Sequence, residues 1–313
     1  MSSIPTKTEL IECATRIAPF IHNTPVLTSQ TINTISGAEV FFKCENFQKM
    51  GAFKMRGAAN AILQLSDEEK AKGVVTHSSG NFAQAVSLAA LKLGVKAYIV
   101  MPKNAPLPKK EAVQGYGGVI TECESTLKAR ESTVENIIKK TGATPLHPSN
   151  QMEVIIGQGT AAIELLQNHP NLDVIITPVG GGGLLAGAAL AAHHFKPHCK
   201  VIGAEPMGAD DAFRSLAAGE ILDNENTNTI ADGLRTKLGD QNFPIIQELV
   251  EKIVLVDEQE IIDAMRLVWE RMKMIIEPSS AVALAPILRG EFKSKKVGII
   301  ISGGNVDLNN LPF

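Results

Sequence analysis

Two spacings of apolar residues take turns along this chain, one helical and one of short unbroken runs. Residues 8–21, with Lys7, Glu9, Glu12 and Arg16 set among apolar positions, predict an amphipathic opening helix. Short apolar runs then predict strands at 40–45, 74–77, 96–101 and 119–122, alternating with helices at 53–65, 81–93, 108–116 and 129–140. A second series follows, with helix 154–168, strand 174–178, helix 184–195, strand 200–205, helices 257–273 and 280–288, and strand 296–301. Alternation at this spacing predicts βαβ units, in which parallel sheets are covered on both faces by helices. The pattern breaks near residues 70–73 and again at 145–149, where Pro145, Pro148 and Ser149 stand. Those breaks predict a small domain of residues 71–145 inserted into a large one formed by 1–70 and 146–313.

Composition narrows the classes of function. The chain has 313 residues, long enough for two joined domains, and 44% of them are hydrophobic while only 4% are aromatic. A formal charge of -3 supplies no basic stripe, so nucleic acid is not an expected partner. Cys13, Cys44, Cys123 and Cys199 form no Cys-x-x-Cys pair, which speaks against a zinc site or a disulfide framework and for free thiols in a reducing compartment. No apolar run reaches the roughly 18 residues needed to cross a bilayer, and the N-terminus lacks the pattern of a signal peptide. The expectation is a cytoplasmic protein without a membrane partner.

Four corners carry candidate chemistry. Lys54 lies within Gly51-Ala52-Phe53-Lys54-Met55-Arg56-Gly57, between a strand and a helix, where a lysine can hold an aldehyde cofactor covalently. Gly180-Gly181-Gly182-Gly183-Leu184 follows an apolar strand and opens an alanine-rich helix, the arrangement of a phosphate cradle; a plain tight turn needs fewer glycines. It is not the Gly-x-Gly-x-x-Gly of dinucleotide sites. Ser78-Ser79-Gly80-Asn81 suits a carboxylate at a helix N-terminus, although the same residues make an ordinary helix cap. Ser302-Gly303-Gly304-Asn305 follows the terminal strand. All four sit at carboxyl ends of predicted parallel strands, the ligand-binding edge of open α/β sheets. A reactive lysine, a phosphate cradle, a carboxylate cap and a serine for a ring nitrogen are the parts that hold pyridoxal phosphate and an amino acid.

With these motifs the sequence resembles the fold-type II pyridoxal-phosphate enzymes, and within them the serine racemase and serine/threonine dehydratase branch. The likeness runs from Thr24-Pro25-Val26-Leu27 through Gly157-Gln158-Gly159-Thr160, Val268-Trp269-Glu270-Arg271 and Glu277-Pro278 to Asn305-Val306-Asp307-Leu308. It implies a tryptophan synthase β-like α/β fold, two open parallel-type sheets flanked by helices with the small domain inserted in the large one. It implies that Lys54 is the Schiff-base lysine and a base on one face of the substrate, that Phe53 packs on the cofactor ring, and that Asn81 bonds the ring hydroxyl. Gly180, Gly181, Gly182, Gly183 and Leu184 would hold the phosphate, and Ser302 would face the pyridine nitrogen and leave it less protonated than an aspartate would. Ser79 would act on the face opposite Lys54, with Ser78, Ser79, Asn81 and Arg130 binding the substrate carboxylate. The implied activity interconverts L- and D-serine and also eliminates the β-hydroxyl of serine to give pyruvate and ammonia; the alternative is dehydration of threonine or threo-3-hydroxyaspartate.

Two further sites follow from the resemblance. Glu205, the carbonyl of Ala209 and Asp211 would bind Mg²⁺, or Ca²⁺ or Mn²⁺, since hard cations prefer oxygen ligands; the same residues also suit a solvated acidic turn. Ser29, Lys49, Gln84, Tyr116, Lys273 and Asn305 match positions of an activating ATP site between the subunits of a homodimer. Phe82-Ala83 departs from the His-Gly of many relatives and places an apolar ring beside the carboxylate cap.

Overall fold

The computed structural model describes residues 4–224 and 227–313. Its strands are β1 (Val26–Thr28), β2 (Glu39–Cys44), β3 (Val74–Thr76), β4 (Ala97–Pro102), β5 (Val119–Cys123), β6 (Thr144–Pro145), β7 (Val174–Pro178), β8 (Lys200–Pro206), β9 (Lys252–Val256) and β10 (Lys296–Ile301). They assemble as a six-stranded sheet ordered β1-β2-β10-β7-β8-β9 and a four-stranded sheet ordered β5-β4-β3-β6. β1 runs antiparallel to β2, while every other pair is parallel. The four-stranded sheet draws only on residues 74 to 145, and the six-stranded sheet draws on both flanks.

Inner strands are buried on both faces, which explains their unbroken apolar runs. In β10, Val297, Ile299 and Ile301 point into one core and Ile300 into the other. The core beneath Ile300 is covered by the helices Lys54–Leu63, Asn81–Leu93, Met152–Asn168 and Gly183–Phe195; it continues under the smaller sheet through Val74, Ile99 and Met101. The opposite core is covered by Glu258–Met272, Pro278–Ala281 and Ala285–Leu288. Each fully buried Leu, Ile or Val contributes about 1.5–3 kcal/mol, so these layers carry most of the favourable term in folding. Helices Met152–Asn168 and Gly183–Phe195 meet backbone to backbone, since a Cβ on Gly159 would lie 2.5 Å from the Gly187 carbonyl oxygen.

Three strands were not expected from the pattern. β1, β6 and β9 all lie at sheet edges, where strands are short. Pro145, expected to interrupt the chain, pairs with Val75 as part of β6; an edge strand tolerates a proline because its outward side needs no N–H donor. The helix expected over 280–288 is two short helices, Pro278–Ala281 and Ala285–Leu288, because Pro286 lacks the N–H that would continue the ladder.

A buried ion cluster fixes the helix that begins at Lys54. Arg56 donates from Nε and Nη2 to Glu45, both at 2.7 Å, and from Nη1 and Nη2 to Glu164 at 2.7 and 2.8 Å. Lys43 from β2 donates to the Thr24 carbonyl at 2.7 Å and pairs with Glu164. Two cations and two carboxylates balance, and bidentate geometry satisfies most of their lone pairs, as burial of charge requires. The strand before Lys54 and the helix packed behind it are thereby tied to the same turn that carries the lysine.

Candidate active site

Lys54 opens its helix two residues before Arg56. The backbone ahead of it is stitched to the loop after β10: Ala52 forms an antiparallel bridge with Gly303, and the Phe53 N–H donates to the Ser302 carbonyl at 3.0 Å. The Lys54 ammonium donates to the Pro148 carbonyl at 2.7 Å and lies 4.8 Å from the Phe53 ring centroid and 5.9 Å from that of Phe82. Burial among these groups lowers its pKa to about 7, although the Glu277 charge works in the other direction. The His147 ring holds the Pro148 turn by accepting the N–H groups of Ser149 and Asn150 at 3.3 and 2.8 Å. Gln158, fully buried, donates to the same Pro148 carbonyl at 3.0 Å.

The glycine run lies between β7 and the helix Gly183–Phe195. Gly182 is the N-cap with φ 78°, a conformation that L side chains rarely adopt, and a Cβ there would meet Leu238 Cδ2 at 2.6 Å. Asn242, fully buried, donates to the carbonyls of Gly181 at 2.8 Å and Ser149 at 3.0 Å and fixes the loop from behind. No side chain caps this helix and its first turn holds no acidic residue, so its first N–H groups remain available to an anion.

The Ser78-Ser79-Gly80-Asn81 loop differs from an ordinary cap. Gly80 is the N-cap of helix Asn81–Leu93, no side chain caps that helix, and Ser78 accepts the Gly80 N–H at 3.3 Å instead. Asn81 donates to both oxygens of Glu277 at 3.0 and 3.1 Å and accepts from Asn305 Nδ2 at 2.9 Å. Asn305 also donates to the Met50 carbonyl at 2.9 Å and through its N–H to Glu277 at 3.2 Å. Burial raises the Glu277 carboxyl to about 7, with the Asn81 bonds opposing. Ser302 lies at the end of β10, 3% exposed, with its Oγ 3.0 Å from Ser280 Oγ.

The remaining expected residues are spread over the molecule. Arg130 lies on the helix Leu127–Thr141 close enough to His77 for its charge to lower that imidazole, whose main depressing influence is burial. Glu205 and Asp211 are both fully buried; Glu205 accepts the N–H groups of Ala212 at 2.9 Å and Phe213 at 2.7 Å, and among the described residues no cationic side chain bonds either carboxylate. Burial is the main cause that raises Glu205 to about 9 and Asp211 to about 6. Of the six residues matched to a nucleotide site, Asn305 is bonded into the Asn81–Glu277 network, Ser29 caps the helix Gln30–Ser36, and Lys273 donates to the Glu270 carbonyl. Among the described residues no hydrogen bond joins Ser29, Lys49, Gln84, Tyr116 and Lys273 to one another.

These groups fit pyridoxal phosphate. A half-buried amine with a lowered pKa stands ready for an aldehyde, an uncapped helix N-terminus behind a glycine loop suits a phosphate, and Ser302 and Asn81 offer polar atoms. Pro148, Asn242, Glu277, Gln158 and Ser280 were given no role by the sequence. Gln158 and Glu277 lay inside stretches that carried the resemblance, the one signal that pointed to them; Pro148 acts through its backbone, which no side-chain motif discloses.

The family model described as pyridoxal-phosphate dependent enzyme matches residues 17–303. The chain is 55% identical over 309 residues to the serine racemase of Dictyostelium discoideum, covering 97% of this chain and 95% of that protein. The crystal structure of that racemase superposes with a TM-score of 0.94, covering 98% of this chain and 100% of the other. Maize serine racemase is 48% identical, with a TM-score of 0.96 over 98% and 95% of the two chains. A beta-hydroxyaspartate dehydratase of Paracoccus denitrificans is 46% identical over 312 residues, 99% of each chain. With a family model spanning most of its length and relatives of this identity, the chain belongs to the fold-type II pyridoxal-phosphate dependent enzymes.

Proposed function

We propose that the enzyme interconverts L- and D-serine and, from the same site, eliminates the β-hydroxyl of serine to yield pyruvate and ammonia. The observation that carries this reading is Lys54, a half-buried amine with its pKa lowered to about 7 at a corner stitched to the Ser302 loop. Bound pyridoxal phosphate supplies an aldehyde that joins amines and a ring that accepts the electron pair left when the α-proton departs. Lys54 holds the cofactor and moves the α-proton on one face, a task suited to an amine that is partly free base at neutral pH. Phe53 packs on the ring, Asn81 bonds its hydroxyl, the Gly180–Leu184 loop holds the phosphate, and Ser302 meets the ring nitrogen. Ser78, Ser79, Asn81 and Arg130 bind the substrate carboxylate. Ser79 holds the proton for the opposite face, so removal on one side and return on the other inverts the centre. When, after Lys54 has taken the α-proton, the β-hydroxyl departs with a proton as water before one returns to the α-carbon, the outcome is elimination, and hydrolysis of the dehydrated product gives pyruvate and ammonia.

A second reading, dehydration of threo-3-hydroxyaspartate or threonine, is favoured by the likeness to the Paracoccus dehydratase. Purified enzyme supplied in turn with L-serine, D-serine, L-threonine and threo-3-hydroxyaspartate, with enantiomer and keto-acid analysis, tests both. D-serine formed from L-serine supports the first; turnover of hydroxyaspartate with no inversion of serine overturns it.

Further assignments belong to the same reading. Residues 71–145 act as a small domain inserted into a large one, supported by the origin of the four-stranded sheet. Glu205, Asp211 and the Ala209 carbonyl bind Mg²⁺, or Ca²⁺ or Mn²⁺ in its place; two buried carboxylates without a cationic partner among the described residues support it. A homodimer binds ATP as activator through Ser29, Lys49, Gln84, Tyr116, Lys273 and Asn305, and the Asn305 bond to Asn81 supports a link from that site to the cofactor. The described residues hold no helix long and apolar enough to cross a membrane, and free buried cysteines support a cytoplasmic setting.

A further inference from the structure

We propose that the ion pair between Lys109 and Asp232 is a clasp across the mouth of the cofactor cleft, which must open for pyridoxal phosphate to enter or leave; this rests on the cofactor lying between Lys54 and the glycine loop. Lys109 belongs to the helix Leu107–Gly115, which joins β4 to β5 in the smaller sheet. Asp232 begins the turn Asp232–Leu234, which lies between β8 and β9 of the larger sheet. Their charged ends meet at 2.6 Å. Among the described residues this is the only ion pair that joins residues 74–145 to the rest of the chain.

The turn that carries Asp232 is built onto the site. It lies so close to Gly180, the first glycine of the cradle, that a Cβ there would stand 2.9 Å from Leu234 Cα and 3.0 Å from the Gly233 carbonyl oxygen. The Gly233 N–H donates to Ser279 Oγ at 3.1 Å, two residues past Glu277. Beyond the burial that raises the Glu277 carboxyl, both charges of the pair reach it, Asp232 raising it further and Lys109 lowering it. Glu277 in turn holds Asn81. The pair therefore spans ground bounded by the cradle on one side and the Asn81–Glu277 bonds on the other. It also stands at the rim: the side chains of Lys109 and Asp232 are 30% and 50% exposed, so the bond can open into water without stranding a buried charge. An exposed pair is weak, and its rupture is worth about two- to fivefold in a rate. A barrier at the mouth is crossed in both directions, so its loss speeds capture and release by one factor and leaves Kd unchanged. A turn that merely propped the cradle would alter release alone.

The test follows the absorbance of the lysine adduct at one ionic strength, as cofactor-free protein captures pyridoxal phosphate and as holoenzyme releases it to a trapping amine. Lys109→Gln and Asp232→Asn are each expected to speed both rates about two- to fivefold with affinity unchanged. The exchanged pair, Lys109→Asp with Asp232→Lys, should return both rates toward those of the unaltered enzyme. Charge at the rim also steers an anionic cofactor, but Lys109→Gln makes the mouth more negative and Asp232→Asn more positive, so steering shifts capture in opposite directions in the two variants. Such opposite shifts, a change in release alone, or an exchanged pair as fast as the single variants overturns the proposal. An adduct whose rates neither variant moves overturns the clasp and leaves the role of Lys54 standing. If the unaltered protein forms no lysine adduct, the assignment of Lys54 falls and the proposal falls with it. Both charged ends reach solvent, so these variants are expected to fold, and calorimetry checks that their Tm holds.

Discussion

Lys54 in the protein freed of its cofactor is expected to titrate near neutrality. With a pKa of about 7, roughly three-quarters of the amine is free base at pH 7.5, against about 0.1% for a lysine at 10.5, a gain on the order of 700-fold. Capture of pyridoxal by the cofactor-free protein, followed by absorbance, reads this directly, and pyridoxal avoids the titration of the phosphate. The logarithm of the rate should climb with unit slope as pH rises and level off near 7. Glu277→Gln removes the one charge that raises the lysine, so the midpoint should move lower still. A midpoint above about 9, or one indifferent to Glu277→Gln, would refute the reasoning. Stability follows with a definite sign. Between about 7 and 10.5 the unfolded chain keeps the Lys54 proton and the folded chain does not, so the contribution of this one group to stability rises with pH across that window, by at most about 1.4 kcal/mol per unit. Glu277, raised to about 7, is charged in both states above that point and adds no slope there, whereas Glu205, raised to about 9, and the buried thiols of Cys13, Cys44 and Cys199, raised to about 12, contribute slopes of the opposite sign below and above about 9. The Lys54 share is therefore read as a difference: in denaturant titrations at successive pH values, the slope of Lys54→Met should be lower than that of the unaltered protein by at most about 1.4 kcal/mol per unit.

Four other outcomes follow from the geometry. Arg56→Met leaves the Glu45 carboxylate buried without its partner and should cost about 3–5 kcal/mol, a fall in Tm of roughly 6–15 °C; calorimetry showing less than about 2 °C would remove the cluster from the account. Ser79→Ala should cut formation of D-serine from L-serine far more than formation of pyruvate, because only inversion needs the second face, and equal losses would count against it. Gly182→Ala forces a Cβ toward Leu238 at a strained backbone angle costing about 1–3 kcal/mol, so the cofactor should dissociate faster; an unchanged rate in competition with a trapping amine speaks against the cradle. Asp211→Ala should erase any rise of Tm with added Mg²⁺, and a persisting response would move the cation elsewhere.

Runs such as Val174-Ile175-Ile176 and Val297-Gly298-Ile299-Ile300-Ile301 declared their strands because both faces are buried. Edge strands gave weaker signals. β1 is three residues long, β6 contains a proline, and β9, Lys252-Ile253-Val254-Leu255-Val256, was overlooked beside the strong helix that starts two residues later. In the site, Lys54 and the glycine run were legible because few other roles suit a lysine between small residues or four successive glycines. Glu277 was not, since a single carboxylate reads as surface until burial and the Asn81 bonds are seen. Pro148 and Asn242 act by offering or fastening backbone carbonyls that come close only through folding. The sequence also left Ser78 and Ser79 open to an ordinary capping role, which the N-cap position of Gly80 removes.

β10 stands between β2 and β7, in the middle of the larger sheet, and its end carries the serine loop bonded to Ala52 and Phe53. During synthesis the lysine corner emerges some 250 residues ahead of that loop. Until the final strand slides into its slot, β2 and β7 each present a bare edge, of the kind that pairs with a neighbouring chain. Pairing of β10 therefore closes the centre of the sheet and brings the Ser302 loop to the lysine corner together, so the cofactor site cannot be complete while that slot is open.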